Sequence, residues 1–320
     1  MTIRVGMIGA GRMGQPHLQS LASFPEVQVA AICDSHRSLA EAAARPFGAN
    51  VHINFRTMLE AGRLDAVFVC IPPSARGEPE TAAARAGIHL FLERPVAMSV
   101  EKARQIQKEI EKAGVVVAVA YPWRYLSGAE RAKELLRDKR VAAVHGVWQG
   151  PVPADGWRRK RESSGGQMLV EATDLLDLAR YFGGEMAAIF AVQFQGLVAA
   201  HAGDYDIEDA MGVLIRFCSG AIGQILSTDV SPRHESALTV LGEDLEMRLT
   251  SESLEVVEPG KKTVLQHLES GLASCHRAFF EAVKSDNAKL LRASYPDAVR
   301  SLEVALAARM AAETGEVVNL

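Results

Sequence analysis

Residues 3–14 read Ile3-Arg-Val-Gly-Met-Ile-Gly9-Ala-Gly11-Arg-Met-Gly14. The apolar, β-branched beginning predicts a strand, and the glycines follow where a helical pattern starts. In such a strand–turn–helix the first glycine allows the tight turn, and the second lets a pyrophosphate approach the backbone. The third lets the helix pack closely on the strand, so that the helix N-terminus faces the anion. The stretch predicts a dinucleotide-binding turn, with Arg12 and Met13 beside the phosphates.

A second apolar run, Val27–Cys33, ends in Asp34, which follows Gly9 by 25 positions. In a dinucleotide-binding fold, a carboxylate at about this separation accepts hydrogen bonds from the adenosine ribose hydroxyls. The same carboxylate repels a 2′-phosphate, so Asp34 favours NAD as the cofactor. Arg37 lies three residues later, and a nearby arginine can neutralise that phosphate, so the sequence leaves NADP open.

Composition and length limit the class of protein. The chain has 320 residues, of which 48% are hydrophobic and 23% charged, with a formal net charge of -4. This length predicts two domains, and the composition is typical of soluble globular proteins. The one dense basic tract is residues 158–161. We therefore expect small molecules and other subunits as partners, with no binding of nucleic acid or of a membrane surface.

Four cysteines are spread along the chain and form no C-x-x-C pair: Cys33, Cys70, Cys218 and Cys275. This spacing favours buried thiols in a reducing compartment over a disulfide framework or a zinc site. The first strand begins too early for a signal peptide, and no apolar run approaches the roughly 20 residues needed to cross a bilayer. The sequence therefore predicts a cytoplasmic protein without a metal.

Up to about residue 122, short apolar runs alternate with helical patterns. This alternation predicts βαβ units on a parallel sheet with helices on both faces, and ligands bind such sheets at the carboxyl ends of the strands. Those ends carry Gly9, Asp34, Ile71-Pro72-Pro73, Glu93-Arg94-Pro95 and Tyr121-Pro-Trp123-Arg124-Tyr125. We expect the five segments to surround one crevice, in which the stiff double proline forms a wall beside a flat ring.

Beyond residue 122 the pattern changes to helices and four or five strand-like runs joined by short turns. Such runs predict an antiparallel or mixed sheet with helices on one face. An uncovered apolar sheet face commonly binds another subunit, so we expect a homo-oligomer. The predicted fold is an α/β domain, residues 1–122, followed by an α+β domain, residues 123–320, whose C-terminal helix is able to pack back on the first.

Two further stretches combine charged residues with turn formers: Phe91-Leu-Glu93-Arg94-Pro95 and Gly165-Gly166-Gln-Met-Leu-Val-Glu171-Ala-Thr-Asp174-Leu-Leu-Asp177. Acids three positions apart share a face of a helix. Spacing alone leaves other interpretations open, because charged strand ends are commonly solvated. Acids in a first helical turn also complement the helix dipole.

These motifs, in their order and separation, resemble the glucose-fructose oxidoreductase, inositol dehydrogenase and MocA family. The resemblance covers residues 1 to about 185 through the glycine turn, Glu93-Arg94-Pro95, Tyr121-x-Trp-Arg-Tyr125 and Gly165-Gly166 with Asp177. It implies a Rossmann domain, an open-faced sheet domain that commonly mediates oligomerisation, and NAD(P)-dependent oxidation or reduction of sugars and cyclic polyols. We also predict that Glu93, Arg94, Trp123 and Arg124 border the cofactor.

The chain departs from this family at two positions. The lysine of the family's E-K-P motif falls on Arg94, its histidine falls on Asp174, and the aspartate one turn later falls on Asp177. Oxidation of a carbinol needs a base for the hydroxyl proton, and lysine or histidine can be tuned to that task. Arginine, with a pKa above about 12, can only orient or stabilise an oxygen. An Arg94–Asp174 pair would favour structure over proton transfer.

Three functions follow from these departures. In the first, the chain is an oxidoreductase in which Asp174, Tyr121 or Tyr125 relays the proton and Arg94 anchors the substrate. In the second, it binds dinucleotide as a sensor or partner subunit with little chemistry. In the third, it has the NAD-dependent glycosidase chemistry that is known in relatives of the family.

The polar stretch before Gly165 holds candidates for the substrate. Trp157 and Arg158 can cover a sugar face and bind an acidic group, with Tyr125 and Glu171 as further contacts. We interpret Arg159 and Arg161 as solvated loop residues. His17 is predicted to be a half-buried helix residue, and the other histidines have no spacing that makes a metal site: His145, His201, His234 and His276.

Overall fold

The computed structural model describes residues 2–61 and 63–320. Contacts divide these residues into two compact units. The first comprises the chain up to Ala120 together with Leu272–Val299, and the second comprises Tyr121–Gly271 and Arg300–Leu320. Residues 272–299, which the linear division assigns to the second domain, thus group with the first unit.

The first unit contains a six-stranded sheet in which every pair of neighbours is parallel, in the order β3-β2-β1-β4-β5-β6. The strands are β1 Ile3–Ile8, β2 Val27–Cys33, β3 Asn50–His52, β4 Ala66–Val69, β5 His89–Leu92 and β6 Val117–Val119. Because the strands are parallel, their carboxyl ends lie at one edge of the sheet. The segments after β1, β2, β4 and β5, which carry predicted cofactor residues, therefore share that edge.

Helices connect these strands. They are α1 Gly14–Leu21, α2 Arg37–Ala44, α3 Phe55–Ala61, α4 Glu78–Arg85, α5 Val100–Ala113 and, later in the chain, α10 Gly271–Ser285. Helix α5 shows how sequence sets the ends of a helix: Ser99 caps its first turn by accepting a hydrogen bond from the Lys102 amide. Gly114 ends it in the left-handed conformation, with φ of +67°.

The second unit contains a nine-stranded sheet, in the order β14-β13-β12-β11-β7-β10-β9-β8-β15. Its strands are β7 Val141–Gln149, β8 Met186–Phe194, β9 Ala210–Phe217, β10 Ile222–Thr228, β11 Glu235–Gly242, β12 Leu245–Thr250, β13 Ser253–Glu258, β14 Lys261–Gln266 and β15 Val318–Asn319. Only β7 and β10 pair in parallel, and the other neighbours are antiparallel. The predicted α+β domain with a mostly antiparallel sheet is confirmed, with more strands than expected.

One face of this sheet is covered by helices and the other carries exposed apolar side chains. The helices of the unit are α6 Ser127–Leu136, α7 Arg161–Ser164, α8 Gln167–Val170, α9 Thr173–Gly183 and part of α11 Tyr295–Thr314. Helix α9 packs on β7, β10 and β11. The exposed apolar side chains of the strands include Val192, Leu214, Ile222, Leu226 and Leu241. Within the described residues, no helix is both long enough and apolar enough to span a membrane.

Candidate active site

The glycine turn after β1 has two kinds of glycine. Gly9 has φ of +93°, and a methyl group on it would lie 2.3 Å from the carbonyl oxygen of Cys70. A methyl group on Gly14 would lie 2.3 Å from the carbonyl oxygen of Gly9. A methyl group on Gly11, by contrast, would meet nothing within 4 Å. The fold itself therefore requires glycine at positions 9 and 14, while Gly11 borders open space of the kind that a pyrophosphate needs.

Asp34 ties the end of β2 to this turn. Its two carboxylate oxygens accept hydrogen bonds from the amides of Ala10, at 2.9 Å, and His36, at 2.8 Å. Arg37 is exposed at the start of α2, where its guanidinium lies 3.6 Å from Glu41. The carboxylate is thus held at the sheet edge beside the glycine turn, as a ribose-binding residue requires.

The segment after β4 places Ile71 and Pro72 half-buried and Pro73 buried at the start of a short 3-10 helix, 73–75. The residue that follows this helix, Arg76, was not singled out from the sequence. Arg76 is buried and pairs with Glu80 at 3.2 Å. The pattern R-x-x-x-E, with a spacing typical of ion pairs on helices, is the only signal that could have indicated it.

Glu93 follows the end of β5 and is buried, and each of its carboxylate oxygens has a hydrogen-bond partner. Its Oε1 lies 2.8 Å from Nε2 of His17, and its Oε2 accepts the Arg94 backbone amide at 3.2 Å. Burial alone would raise the pKa of Glu93, but the hydrogen bond and charge of His17, with Arg94 and Arg76, lower it below its usual value. Arg94 itself is half-buried next to this carboxylate.

The prediction that His17 is half-buried is wrong, because this side chain is fully buried. Its Nδ1 lies 2.8 Å from Nε2 of His276, whose own Nδ1 lies 2.9 Å from Oγ of Ser20. Burial opposes charge on His17, but Cys70 and Glu93 raise its pKa to about 10. Burial and the charge of His17 hold the pKa of His276 well below its usual range. The four side chains form a continuous array, which sequence spacing could not reveal because His276 is 259 residues from His17.

In the second unit, Asp177 lies inside an ion pair. Arg124 donates to both of its oxygens at 2.6 Å, and the Ser301 hydroxyl donates to Oδ1 at 2.6 Å. Burial raises the pKa of Asp177, while Arg124 and Ser301 act in the opposite direction. Bidentate geometry of this kind is the strongest that a guanidinium and a carboxylate make. The structure thus engages the predicted cofactor residue Arg124 and the predicted catalytic residue Asp177 with each other.

The aromatic segment around Arg124 is mostly buried. Tyr121 and Tyr125 are buried and Trp123 is half-buried on either side of it, within and before the 3-10 helix Pro122–Tyr125. The Arg124 guanidinium stacks over the ring of Tyr181 at 4.8 Å and approaches the ring of Tyr121 at 5.8 Å. The two rings contact the flat faces of the guanidinium, while Asp177 accepts hydrogen bonds along its edge. Together these contacts hold the Arg124 side chain in one orientation.

The three predicted acids of residues 171–177 differ in environment. Glu171 lies between α8 and α9, outside the helix that holds the other two, and pairs with Arg158. Asp174 is half-buried in the first turn of α9, and Asp177 is buried one turn later. Trp157 is half-buried in the 3-10 helix that also carries Arg158. The structure therefore brings Arg158 and Glu171 together, two residues predicted separately as substrate contacts.

The interpretation of Arg159 and Arg161 as solvated loop residues is also wrong. Arg159 donates to the Pro153 carbonyl at 2.6 Å, and the Arg161 guanidinium lies 3.2 Å from the buried carboxylate of Glu208. The same Glu208 accepts the Gln167 amide at 2.7 Å. These contacts attach the basic tract to the acidic segment 204–208, which the sequence analysis left without a role.

A buried polar cluster, also missed, lies beside the double glycine. Tyr205 donates its hydroxyl to Asp229 at 3.1 Å, and Gln167 bonds to the Glu208 carbonyl and accepts from Ser227 at 2.8 Å. Burial raises the pKa of Asp229 to about 7. A methyl group on Gly166 would lie 2.8 Å from the Glu208 carboxylate, which explains a glycine there. Across residues 2–61 and 63–320, no group of three or more His, Cys, Asp or Glu is arranged to hold a metal ion.

Comparison with family models matches both parts of the chain. Residues 3–121 match the model described as "Oxidoreductase family, NAD-binding Rossmann fold", and residues 130–248 match "GFO/IDH/MocA C-terminal domain".

Individual relatives agree with these matches. Levoglucosan dehydrogenase of Pseudarthrobacter phenanthrenivorans is 28% identical over 262 residues, covering 71% of this chain and 67% of the relative. Inositol 2-dehydrogenase of Rhizobium meliloti is 26% identical over 225 residues, covering 69% of this chain and 67% of the relative. Among solved structures, a levoglucosan dehydrogenase in complex with NADH superimposes with a TM-score of 0.88 at 22% identity, covering 100% of this chain and 99% of the other.

Proposed function

The chain belongs to the GFO/IDH/MocA oxidoreductase family, and on that premise we propose that it is an NAD-dependent dehydrogenase acting on a CH–OH group of a sugar or cyclic polyol. The match of residues 3–121 to an NAD-binding model carries the proposal. Relatives that are named for levoglucosan and inositol support the substrate class.

The residues of the first unit fit the dinucleotide. Open space at Gly11, beside a helix whose first turn contains no acidic residue, suits a pyrophosphate. Asp34 is proposed to accept hydrogen bonds from the ribose hydroxyls, and its charge disfavours a 2′-phosphate, so we propose NAD over NADP. When bound, the nicotinamide supplies the chemistry of accepting a hydride from the carbinol carbon.

The hydroxyl proton must leave as the hydride does, and the chain has to accept it. Arg94 cannot take it, because a guanidinium keeps its proton at every accessible pH. We assign Arg94 to orienting the substrate oxygen and Asp174, half-buried at the start of α9, to accepting the proton, with Tyr121 as the other candidate. Asp177 is assigned to holding Arg124 in place.

The polar loop is proposed to contact substrate. Arg158 is held by Glu171, so its guanidinium has a fixed orientation at the base of this loop. Trp157 is half-buried beside it and supplies a flat apolar surface suited to a sugar ring. Tyr125 is the third proposed contact.

The experiment is NAD reduction by purified protein across a panel of sugars and polyols that includes levoglucosan and myo-inositol, compared with Asp174→Ala and with Asp174→Asn. We expect turnover on at least one compound and its loss in both variants, since neither side chain can accept a proton. Undiminished turnover in both variants would exclude Asp174 and leave Tyr121 as the proposed proton acceptor. Tyr121→Phe then tests that assignment.

Arg94 favours a second candidate, a dinucleotide-binding sensor or partner subunit, because arginine cannot serve as a base. Tight NADH binding with no turnover on the whole panel would support it. The double variant Arg94→Lys with Asp174→His then separates the two functions. Activity gained in the double variant shows that only these positions limit the chemistry, whereas a silent double variant means that more has changed.

We also propose that the exposed face of the nine-stranded sheet binds a second copy of the chain. Its apolar side chains, such as Leu214 and Ile222, are more than half exposed, at 56% and 63%. Ile222→Glu should reduce the mass measured by light scattering to that of one chain. No disulfide joins the cysteines of the described residues, which supports the cytoplasm as the compartment.

A further inference from the structure

An array of four hydrogen-bonded side chains in the first unit connects the surface of α1 to the segment that carries Arg94. Ser20, His276, His17 and Glu93 follow one another at 2.9, 2.8 and 2.8 Å. They come from three elements, α1, α10 and the end of β5. The last member reaches the backbone, because the Arg94 amide donates to Glu93 Oε2 at 3.2 Å.

Two arrangements of protons satisfy the hydrogen bonds of this array. In one, His17 is neutral: its Nε2 donates to Glu93, its Nδ1 accepts from Nε2 of His276, and Nδ1 of His276 accepts from the Ser20 hydroxyl. The other has a charged His17. If Glu93 is a carboxylate, Nε2 of His17 donates to it. If His17 also donates from Nδ1, then Nε2 of His276 accepts, and Nδ1 of His276 donates to Ser20. His17 is then an imidazolium and His276 is neutral. Cys70 and Glu93 raise the pKa of His17, which favours this charged arrangement. Burial and the charge of His17 lower the pKa of His276 and oppose a second charge there.

We propose that His17 and His276 are positioning residues for Arg94: together they hold one proton against Glu93, which keeps that carboxylate ionised and its second oxygen fixed on the Arg94 amide. This inference rests on the proposed function, in which Arg94 meets the substrate oxygen. The array itself is a property of the free protein.

The titratable and charged groups that face the array come from several elements. His17 faces Glu93, Cys70 at the end of β4 and His276 of α10. Glu93 faces His17, Arg94 and Arg76. If His17 became neutral, the Glu93 charge would no longer be balanced within the array. The carboxylate would then attract the Arg94 guanidinium away from the substrate side.

His276→Leu is the central test, because it removes the acceptor for His17 Nδ1 and leaves the apolar packing. We expect the pKa of His17 to fall from about 10 to about 8. The reason is that losing a hydrogen bond to a charged group shifts a pKa by about one to two units. His276→Gln presents an amide oxygen near the position of Nε2 and should restore the wild-type behaviour. Phe280→Leu, on the same helix and buried without a hydrogen bond, is the matched packing control.

Two measurements are needed. The first is nitrogen NMR of histidine-labelled protein with hydrogen exchange of the Arg94 amide, which requires no ligand. The second is the pH dependence of NADH affinity and of kcat and KM between pH 6 and 10. For His276→Leu, we expect kcat/KM to fall by about tenfold from pH 7 to pH 9 without a matching loss of NADH affinity, and the Arg94 amide to exchange faster. Wild type, His276→Gln and Phe280→Leu should show neither change.

A neutral His17 in wild type at pH 8 would overturn the proposal, as would a pH profile of His276→Leu identical to that of Phe280→Leu. If His276→Leu fails to fold, Ser20→Ala, at the partly exposed end, gives a smaller change in the same direction. Its Arg94 amide exchange must then rise at high pH, or the proposal fails. If wild type binds no NADH, the proposed function fails while the NMR measurement still decides the array.

Discussion

Glu93 and Asp177 are both buried carboxylates at predicted site positions, yet they are held by different cations. Glu93 bonds to His17, a group that can lose its proton, and to the Arg94 amide. Asp177 receives two bonds from Arg124, which cannot lose its proton, and one from Ser301. The difference indicates two roles. The Glu93 array can respond to protons, whereas the Asp177 pair is a rigid support for the aromatic segment around Arg124.

The largest effect should come from breaking the arginine pair. Asp177→Ala leaves the buried Arg124 charge without its carboxylate and should lower the free energy of unfolding by about 3–5 kcal/mol. Asp177→Asn keeps the oxygen that accepts from Arg124 and should lose less. Urea unfolding measures both. A loss below about 1 kcal/mol in Asp177→Ala would show that the pair is not a support.

Glu93→Gln should have a smaller effect, because His17 can become neutral once its carboxylate is gone, an adjustment that Arg124 cannot make. We expect a loss of about 2 kcal/mol at pH 7, the usual range for a hydrogen bond to a charged group. The same unfolding measurement applies, with Glu93→Asp as the control that retains the charge. A loss as large as that of Asp177→Ala would contradict the distinction between the two cations.

The pH dependence of stability should separate the two regions further. The pKa of His17 is raised from 6.5 to about 10, so its contribution is fully present below pH 6.5 and is lost as pH rises towards 10. We expect the free energy of unfolding to fall by about 2–3 kcal/mol from pH 7 to pH 9. Arg124 adds no such slope, because it stays charged. Glu93→Gln should flatten the curve, and a slope unchanged in that variant would disprove the assignment.

The two serines at the ends of these groups should give the smallest effects. Ser301→Ala removes two hydrogen bonds: the one that the hydroxyl donates to Asp177 and the one that it accepts from Arg180 at 2.7 Å. We expect the free energy of unfolding to fall by about 1 kcal/mol. Ser20→Ala should cost less, because Ser20 is partly exposed and water can replace its hydroxyl. Thermal unfolding of the two variants side by side tests this order.

The fold could be predicted because its signals are local. The βαβ pattern, the mostly antiparallel sheet, the NAD-binding Rossmann domain and the family are all confirmed. The ends of helix α5 show such local signals, because Ser99 caps its start and Gly114 ends it in the left-handed conformation. Short or edge elements were missed: β3 Asn50–His52 has three residues, and β14 Lys261–Gln266 is a largely exposed edge strand. Such strands form through pairing with a neighbour, which leaves a weak pattern of hydrophobicity.

The sequence predicts which residues are candidates for the site, but it does not predict which of them pair with each other. Arg124 and Asp177 were both named, but as cofactor and catalytic residues, and their pairing across 53 positions was not foreseen. The sequence indicates a solvated Arg161 because its partner Glu208 lies 47 positions away, beyond any local pattern. The roles of all these residues in binding and catalysis stay predictions.

The sequence by itself determined the strand, glycine turn and helix at the start of the chain, the alternation of strands and helices that follows, and the presence of arginine and aspartate at positions 94 and 174. These follow from steric rules and periodicities that act over a few residues. Only the tertiary structure decided which charged side chains are buried and which partners they have. Glu93 is paired with His17, which in turn contacts His276, and Asp177 is paired with Arg124. The physical reason is that burial and pairing depend on groups brought together by folding, and the chain order does not record those distances.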